Sequence, residues 1–303
     1  MNIKESVDFI NFWIRKARGA FYTIEESVEV IDRGQIAYYN DIIQKYAVSQ
    51  IIKDTLSPFK ATYNFNTIAA DPQLITIPEL FLRSTITANA SSVGVVVNVA
   101  NTVGLVIGDV VVVATGAGLF QPDTTITKII NATSFEINIV PITTITTGNT
   151  IRIYQSKPYL DLLDLEIQFT SNGHSVHYPI KMINEDERGD RLNSQIDPPL
   201  ATAPVGEMIE RRTIKLTPAN TVYVGTATYM RRPKKPVYGY SIVGGRSIVY
   251  DPSSSVQLEW RDTDINAILL KALASIGINL SDQEVSQFAQ AKTQENYQGV
   301  NHL

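Results

Sequence analysis

The stretch 84–154 restricts the fold more than any other part of the chain. Between Ser84 and Ile151 its only charges are Asp109, Asp123, Lys128 and Glu136. Short β-branched runs fill it, at 95–97, 110–113, 124–130, 135–139 and 150–153. Asparagine, glycine and proline break them at 101–104, Gly108-Asp109, 116–118, Pro122-Asp123, Asn131 and Gly148-Asn149, where a reversing chain needs residues that tolerate turn dihedrals. Strands this poor in charge would pair edge to edge with other chains if left open. They must close into a small barrel or sandwich, or be covered by a neighbour. Sheet-forming text stands on both sides, so the pattern predicts an inserted all-β module over 84–156 in a host built from 1–83 and 157–262.

The flanks read differently. Val7, Ile10 and Ile14, with Phe9 and Trp13, fall at helical spacing until Gly19. Thr23 and Glu26 have the capping-box form, in which a threonine and a glutamate three positions on satisfy each other's free amides. Asp32 with Gln35 repeats that form, and Tyr39, Ile43, Ala47 and Ile51 beyond it stand four apart. This predicts a second start and one helix over 32–55, ending before Ser57-Pro58. Its tyrosines read as core or rim residues of an amphipathic helix. Residues 59–82 alternate in short pieces, as strands or extended arms do.

Beyond the module, 159–165 reads as a short helix or turn, 166–170 as a strand, and Ser171-Asn172-Gly173 as a hairpin turn. Residues 184–191 form a dense charged loop. Its carboxylates lack calcium-loop spacing, and the interleaved arginines point to solvated ion pairs. A hairpin is expected from 213–216 and 221–229 about Pro218-Ala219-Asn220, and another from 238–243 and 247–250 about Gly244-Gly245. Between the two lies the basic, proline-rich run Arg231, Arg232, Pro233, Lys234, Lys235, Pro236, read as an extended arm whose cations suit either phosphates or an acidic neighbouring subunit, the acidic whole favouring the latter.

The ending, 263–303, is helical. Ile265, Ile268, Leu269, Ala272, Leu273 and Ile276 make one apolar stripe, and Gly277 fits a left-handed stop. Ser281 with Glu284 caps a further helix in which only Val285, Phe288 and Ala289 form an apolar strip, so it frays or waits for a partner. The expected class is α+β: helical N- and C-terminal segments around a mainly antiparallel β host domain carrying the all-β insertion.

Composition narrows the function. At 303 residues, 44% hydrophobic and 18% charged, the chain can bury a core. A formal charge of −4 argues against a protein that wraps nucleic acid, which needs a basic excess. Cysteine is absent, which excludes a disulfide framework and thiolate zinc. The start, Met1-Asn2-Ile3-Lys4-Glu5, lacks a signal peptide's regions, and no apolar run approaches the ~20 residues of a membrane helix. The expectation is a protein made and used without secretion and without a membrane partner.

Catalytic chemistry finds no carrier. A nucleophile needs an oriented base, and the histidines are His174, His177 and His302. His174 and His177 stand at odd spacing, so on a strand they face opposite sides and cannot grip one metal together. Neither a phosphate-cradling glycine loop nor a dinucleotide fingerprint occurs. Asp262 and Asp264 read as helix-capping acids. No enzyme activity, cofactor or metal is expected.

From 159 onward the layout resembles the ring proteins below the portal of crAss-like podoviruses, a family of bacteriophage tail and connector proteins. The strand pair leading to Tyr229-Met230-Arg231-Arg232-Pro233 carries the resemblance, with Leu258-Glu259-Trp260, the stripe Ile265 to Ile276, Gly277-Ile278 and the segment 284–298. The N-terminal helices fit the same plan. What it implies is a virion structural protein, assembled in the host cytoplasm, that forms a homo-oligomeric ring with the portal's twelvefold symmetry. Its partners would be the portal and neighbouring tail rings, with DNA passing through the lumen. Arg231, Arg232, Pro233, Lys234, Lys235, Val285 and Phe288 are the expected assembly contacts. A carbohydrate- or receptor-binding adhesin module is the other reading, with Phe120 and Phe135 as the module's only aromatics before Tyr154. A wall-degrading enzyme built on an acidic pair comes last.

Overall fold

A computed structural model describes residues 1–19, 21–47, 49–67, 73–171, 174–196, 198–219, 222–244 and 247–278. The expectations for Asn172-Gly173, Val285, Phe288 and His302, and for the His174 side chain, lie outside the described residues. The chain is an α+β fold of mostly antiparallel sheets with helices at its N-terminal side and in its last described segment.

Helix α1, Ile3–Arg18, starts at a capping box in which Glu5 N–H donates to Asn2 Oδ1 at 2.9 Å. It stops at Gly19, whose φ of 63° costs a glycine nothing. Helix α2, Ile24–Ile43, starts at the Thr23 and Glu26 box. Two expectations fail here. The Asp32 and Gln35 pair is no second start: the two side chains bond to each other at 2.6 Å in mid-helix. Nor does the helix run to Thr55. It ends at Ile43, and a separate α3, Gln50–Leu56, follows. The break serves the core: Ile52 packs against it and Leu56 and Phe59 are buried in it, whereas Ile51, on the extrapolated stripe, is 77% exposed.

The strands follow in chain order: β1 Lys60–Asn66, β2 Leu74–Thr76, β3 Leu80–Thr87, β4 Val96–Asn98, β5 Val110–Thr115, β6 Ile126–Asn131, β7 Ser134–Ile137 and β8 Thr150–Ser156. After them come β9 Tyr159–Ser171, β10 His174–Pro179, β11 Lys181–Ile183, helix α4 Glu185–Leu192, β12 Val205–Glu210, β13 Thr213–Thr217 and β14 Val224–Arg231. A hairpin of β15 Tyr240–Val243 and β16 Ser247–Tyr250 leads to α5, Asp262–Ser275.

Within 84–156 strands β4 to β8 stand where alternation placed them, and β3, absent from the expected runs, enters the module from Leu80. They form two three-stranded sheets, β3-β8-β5 and β4-β7-β6. The core between them, including Val97, Val111, Phe135, Ile151 and Ile153, draws only on residues of this stretch. The host sheets are β1-β14-β9-β10 and β11-β12-β13-β2, in which only β11 with β12 is parallel.

Three further expectations are corrected. Residues 159–165 belong to β9, held between β10 and β14. The charged loop 184–191 is mostly α4, with Asn184 as N-cap and Glu185, Asp186 and Glu187 favourably in its first turn. And β13 and β14 do not pair as a hairpin: β13 joins β12 and β2, while β14 joins β1 and β9. For β13 and β14 the partners β2, β1 and β9 are distant in sequence, beyond what local spacing reports. The α5 stripe behaves as read, with Ile265, Ile268, Leu269, Ala272 and Leu273 buried against α1 and α2 and Gly277 at φ 77°.

Candidate assembly interface

Strand β14 delivers Arg231 to the middle of the molecule, where Pro233 and Pro236 keep the following arm extended. The Arg231 guanidinium is buried and donates to both Glu259 carboxylate oxygens, at 2.8 and 3.1 Å, and to the Pro58 carbonyl at 2.8 Å. It also lies 5.4 Å from the centre of the Phe59 ring. Glu259 accepts a third hydrogen bond from Lys234 N–H at 3.1 Å. Gln35 ties the same place to α2: its amide donates to the Lys234 carbonyl at 2.9 Å, and its carbonyl accepts from Trp260 Nε1 at 3.2 Å. The Tyr39 hydroxyl donates to Arg231 O, and burial pushes that phenol's pKa up.

The five cluster residues therefore divide. Arg231 faces inward and is used within its own chain. Pro233 is buried. Lys235 pairs with Glu29 at 2.7 Å, which raises the ammonium pKa and lowers that of the carboxyl. Arg232 and Lys234 keep side chains with no acidic partner among the described residues. Charge density marked the arm in the sequence. The role of Glu259 was missed, since nothing in its spacing ties it to Arg231.

Beyond the arm, the β15–β16 hairpin stands away from every sheet. Ile242 lies opposite Ile248 on one face, and Val243 and Val249 on the other. All four are about half exposed or more, from 48% at Val249 to 62% at Ile242. Its base is anchored by Tyr240, whose hydroxyl donates to Glu25 at 3.1 Å, and by Tyr250 edge-on to Tyr238.

A cleft of about 420 Å³ separates the arm from the β module, between Gly108, Ile126 and Thr127 on one side and Pro158, Lys234 and Val256 on the other. Lys128 to Asp251 at 2.5 Å bridges module and host, and on β3, within the module's own sheet, Arg83 Nε lies 2.8 Å from the buried Asp109. Burial raises the Asp109 pKa, and Arg83 and the Val106 N–H partly offset it. Lys157 is lowered, by burial first and then by Arg231, Arg83 and Lys234, so the field beside the arm is positive.

Elsewhere, His177 Nδ1 sits 3.5 Å from Glu166 on an exposed strand face. Among the described residues no three His, Asp or Glu come together in a way that could hold a metal ion, and no helix is long and apolar enough to cross a membrane. Comparison with protein-family models and with curated proteins gives no match.

Proposed function

We propose that this chain is a bacteriophage virion structural protein that assembles as a homo-oligomeric ring in the head-to-tail connector or tail barrel below the portal, a conduit for DNA. The observation that carries the reading is the β15–β16 hairpin. A lone two-stranded ribbon is marginal in water. This one keeps Ile242, Val243, Ile248 and Val249 open on both faces, the kind of surface that marks contact with other chains.

A ring subunit makes head-to-tail contacts that close, so it needs adhesive surfaces on two sides. The resemblance of the arm and of the ending supplies the copy number, twelve, and the neighbours, the portal and other tail rings. A formal charge of −4 suits a conduit, because a basic lumen would retain DNA. The adhesin reading loses its sugar-stacking surface, since Phe120 and Phe135 are both buried.

Replacing Ile242 and Ile248 together by glutamate tests the reading. The double variant is expected to keep the parent's circular dichroism and to run as a single chain in native mass spectrometry where the parent runs as a ring. Intact rings in the variant would remove the hairpin from the account.

A further inference from the structure

The cleft between module and arm has a definite chemical make. Ile107, Ile126, Pro158, Pro233, Val237 and Val256 give it apolar walls. Arg232 and Lys234 also line it, beside the buried carboxylate of Asp109, which Arg83 takes up at 2.8 Å; among the described residues neither Arg232 nor Lys234 forms an ion pair, while Arg231 and Lys235 each do. Such a cleft favours an occupant of the opposite make: apolar side chains beside carboxylates, with no cation among them.

One stretch of this chain has that make. Asp282 and Glu284 directly precede Val285 and Phe288, and no lysine or arginine stands between Lys271 and Lys292. Ser281 and Glu284 have capping-box spacing, and a helix begun there would carry Val285, Phe288 and Ala289 on one side with the carboxylates in its first turn. Helix α4 is the other anionic surface, but its sequence Glu-Asp-Glu-Arg-Gly-Asp-Arg-Leu offers a single apolar side chain, Leu192, and it buries none of its residues. It would match the rim of the cleft and leave the walls bare. A ring contact joins two different surfaces of the same chain, and this chain carries both halves.

We propose that the cleft receives the 281–292 segment of a neighbouring copy, with Val285 and Phe288 against the apolar walls and Asp282 and Glu284 facing Arg232 and Lys234. The proposal rests on the ring reading and names the contact that closes the ring.

The test uses the full chain with a photo-crosslinking benzoylphenylalanine at position 288. Chains of natural and of heavy nitrogen are mixed in equal amounts before assembly, irradiated and digested. The expected result is crosslinks from position 288 to peptides holding 107–109, 125–127 or 232–237, about half of them joining light to heavy peptides, as random neighbours would. Arg232→Glu with Lys234→Glu is expected to cut that yield by about fivefold or more, and Asp282→Lys with Glu284→Lys in the same chain to restore it. Crosslinks to other surfaces, none at all, pairs of one isotope only, or a yield indifferent to charge reversal would each overturn the contact. Native mass spectrometry of the same sample reads ring formation separately: rings with crosslinks elsewhere reject this contact alone, and a single-chain mass rejects the ring reading.

Discussion

The Arg231 and Glu259 pair joins the end of β14 to the segment entering α5, with the arginine buried, the glutamate part-buried and Pro58 O sharing the guanidinium. Removing one partner strands the other's charge. Arg231→Met is therefore expected to cost about 2–4 kcal/mol, read as a lower denaturant midpoint at unchanged slope. Lys235→Ala, at the surface, should leave that midpoint almost unchanged. The bridge from Lys128 to Asp251 has a pH signature. The ammonium and the Ser253 hydroxyl hold the Asp251 carboxyl well below its ordinary value of 3.8. A depressed folded pKa contributes stability that is present above the unfolded value and lost as pH falls through the folded one. Asp251→Asn is thus expected to lower the melting temperature at pH 7, with the gap to the parent closing below about pH 3. A gap unchanged by acid would mean that the bridge contributes nothing. Of this scale the sequence made only charge density legible. Which cations of 231–235 face inward depends on Glu259 and Pro58, at separations of 28 and 173 residues.

Helices α2 and α5 cross where Gly34 meets Ala272, so closely that a Cβ on Gly34 would lie 2.6 Å from the Ala272 Cβ and from the Ile268 carbonyl oxygen. On an exposed helix Gly→Ala is stabilising, but here overpacking dominates, and Gly34→Ala is expected to cost about 1–3 kcal/mol by chemical denaturation. Ala272→Gly should recover part of that loss in the double variant, because the two sites share one contact. Elements with local signals were legible. The Thr23 box, the Gly19 and Gly277 stops, the α5 stripe and the alternating module strands β4 to β8 all stand where spacing put them. What spacing hid was partnership. The stripe through Ile43 and Ile51 continued past a break that exists to return Leu56 and Phe59 to the core, and β13 and β14, adjacent in sequence, belong to different sheets.

At the scale of the whole molecule, the module, the host sheets and the helical layer keep separate hydrophobic cores, and the arm ties the layers together through Arg231, Lys234 and Gln35. Outward surfaces include the apolar β15–β16 hairpin and a cleft with two cations at its edge that form no ion pair among the described residues. Surfaces of this kind come at a cost to a lone subunit in water and are offset when copies meet. The central claim, that this chain closes into a homo-oligomeric ring, is tested most directly by native mass spectrometry of the purified protein across a range of concentrations, with negative-stain images of the same sample. Closed rings and a mass near twelve chains are the expected result. A single-chain mass at every concentration, with no rings in the images, would contradict it.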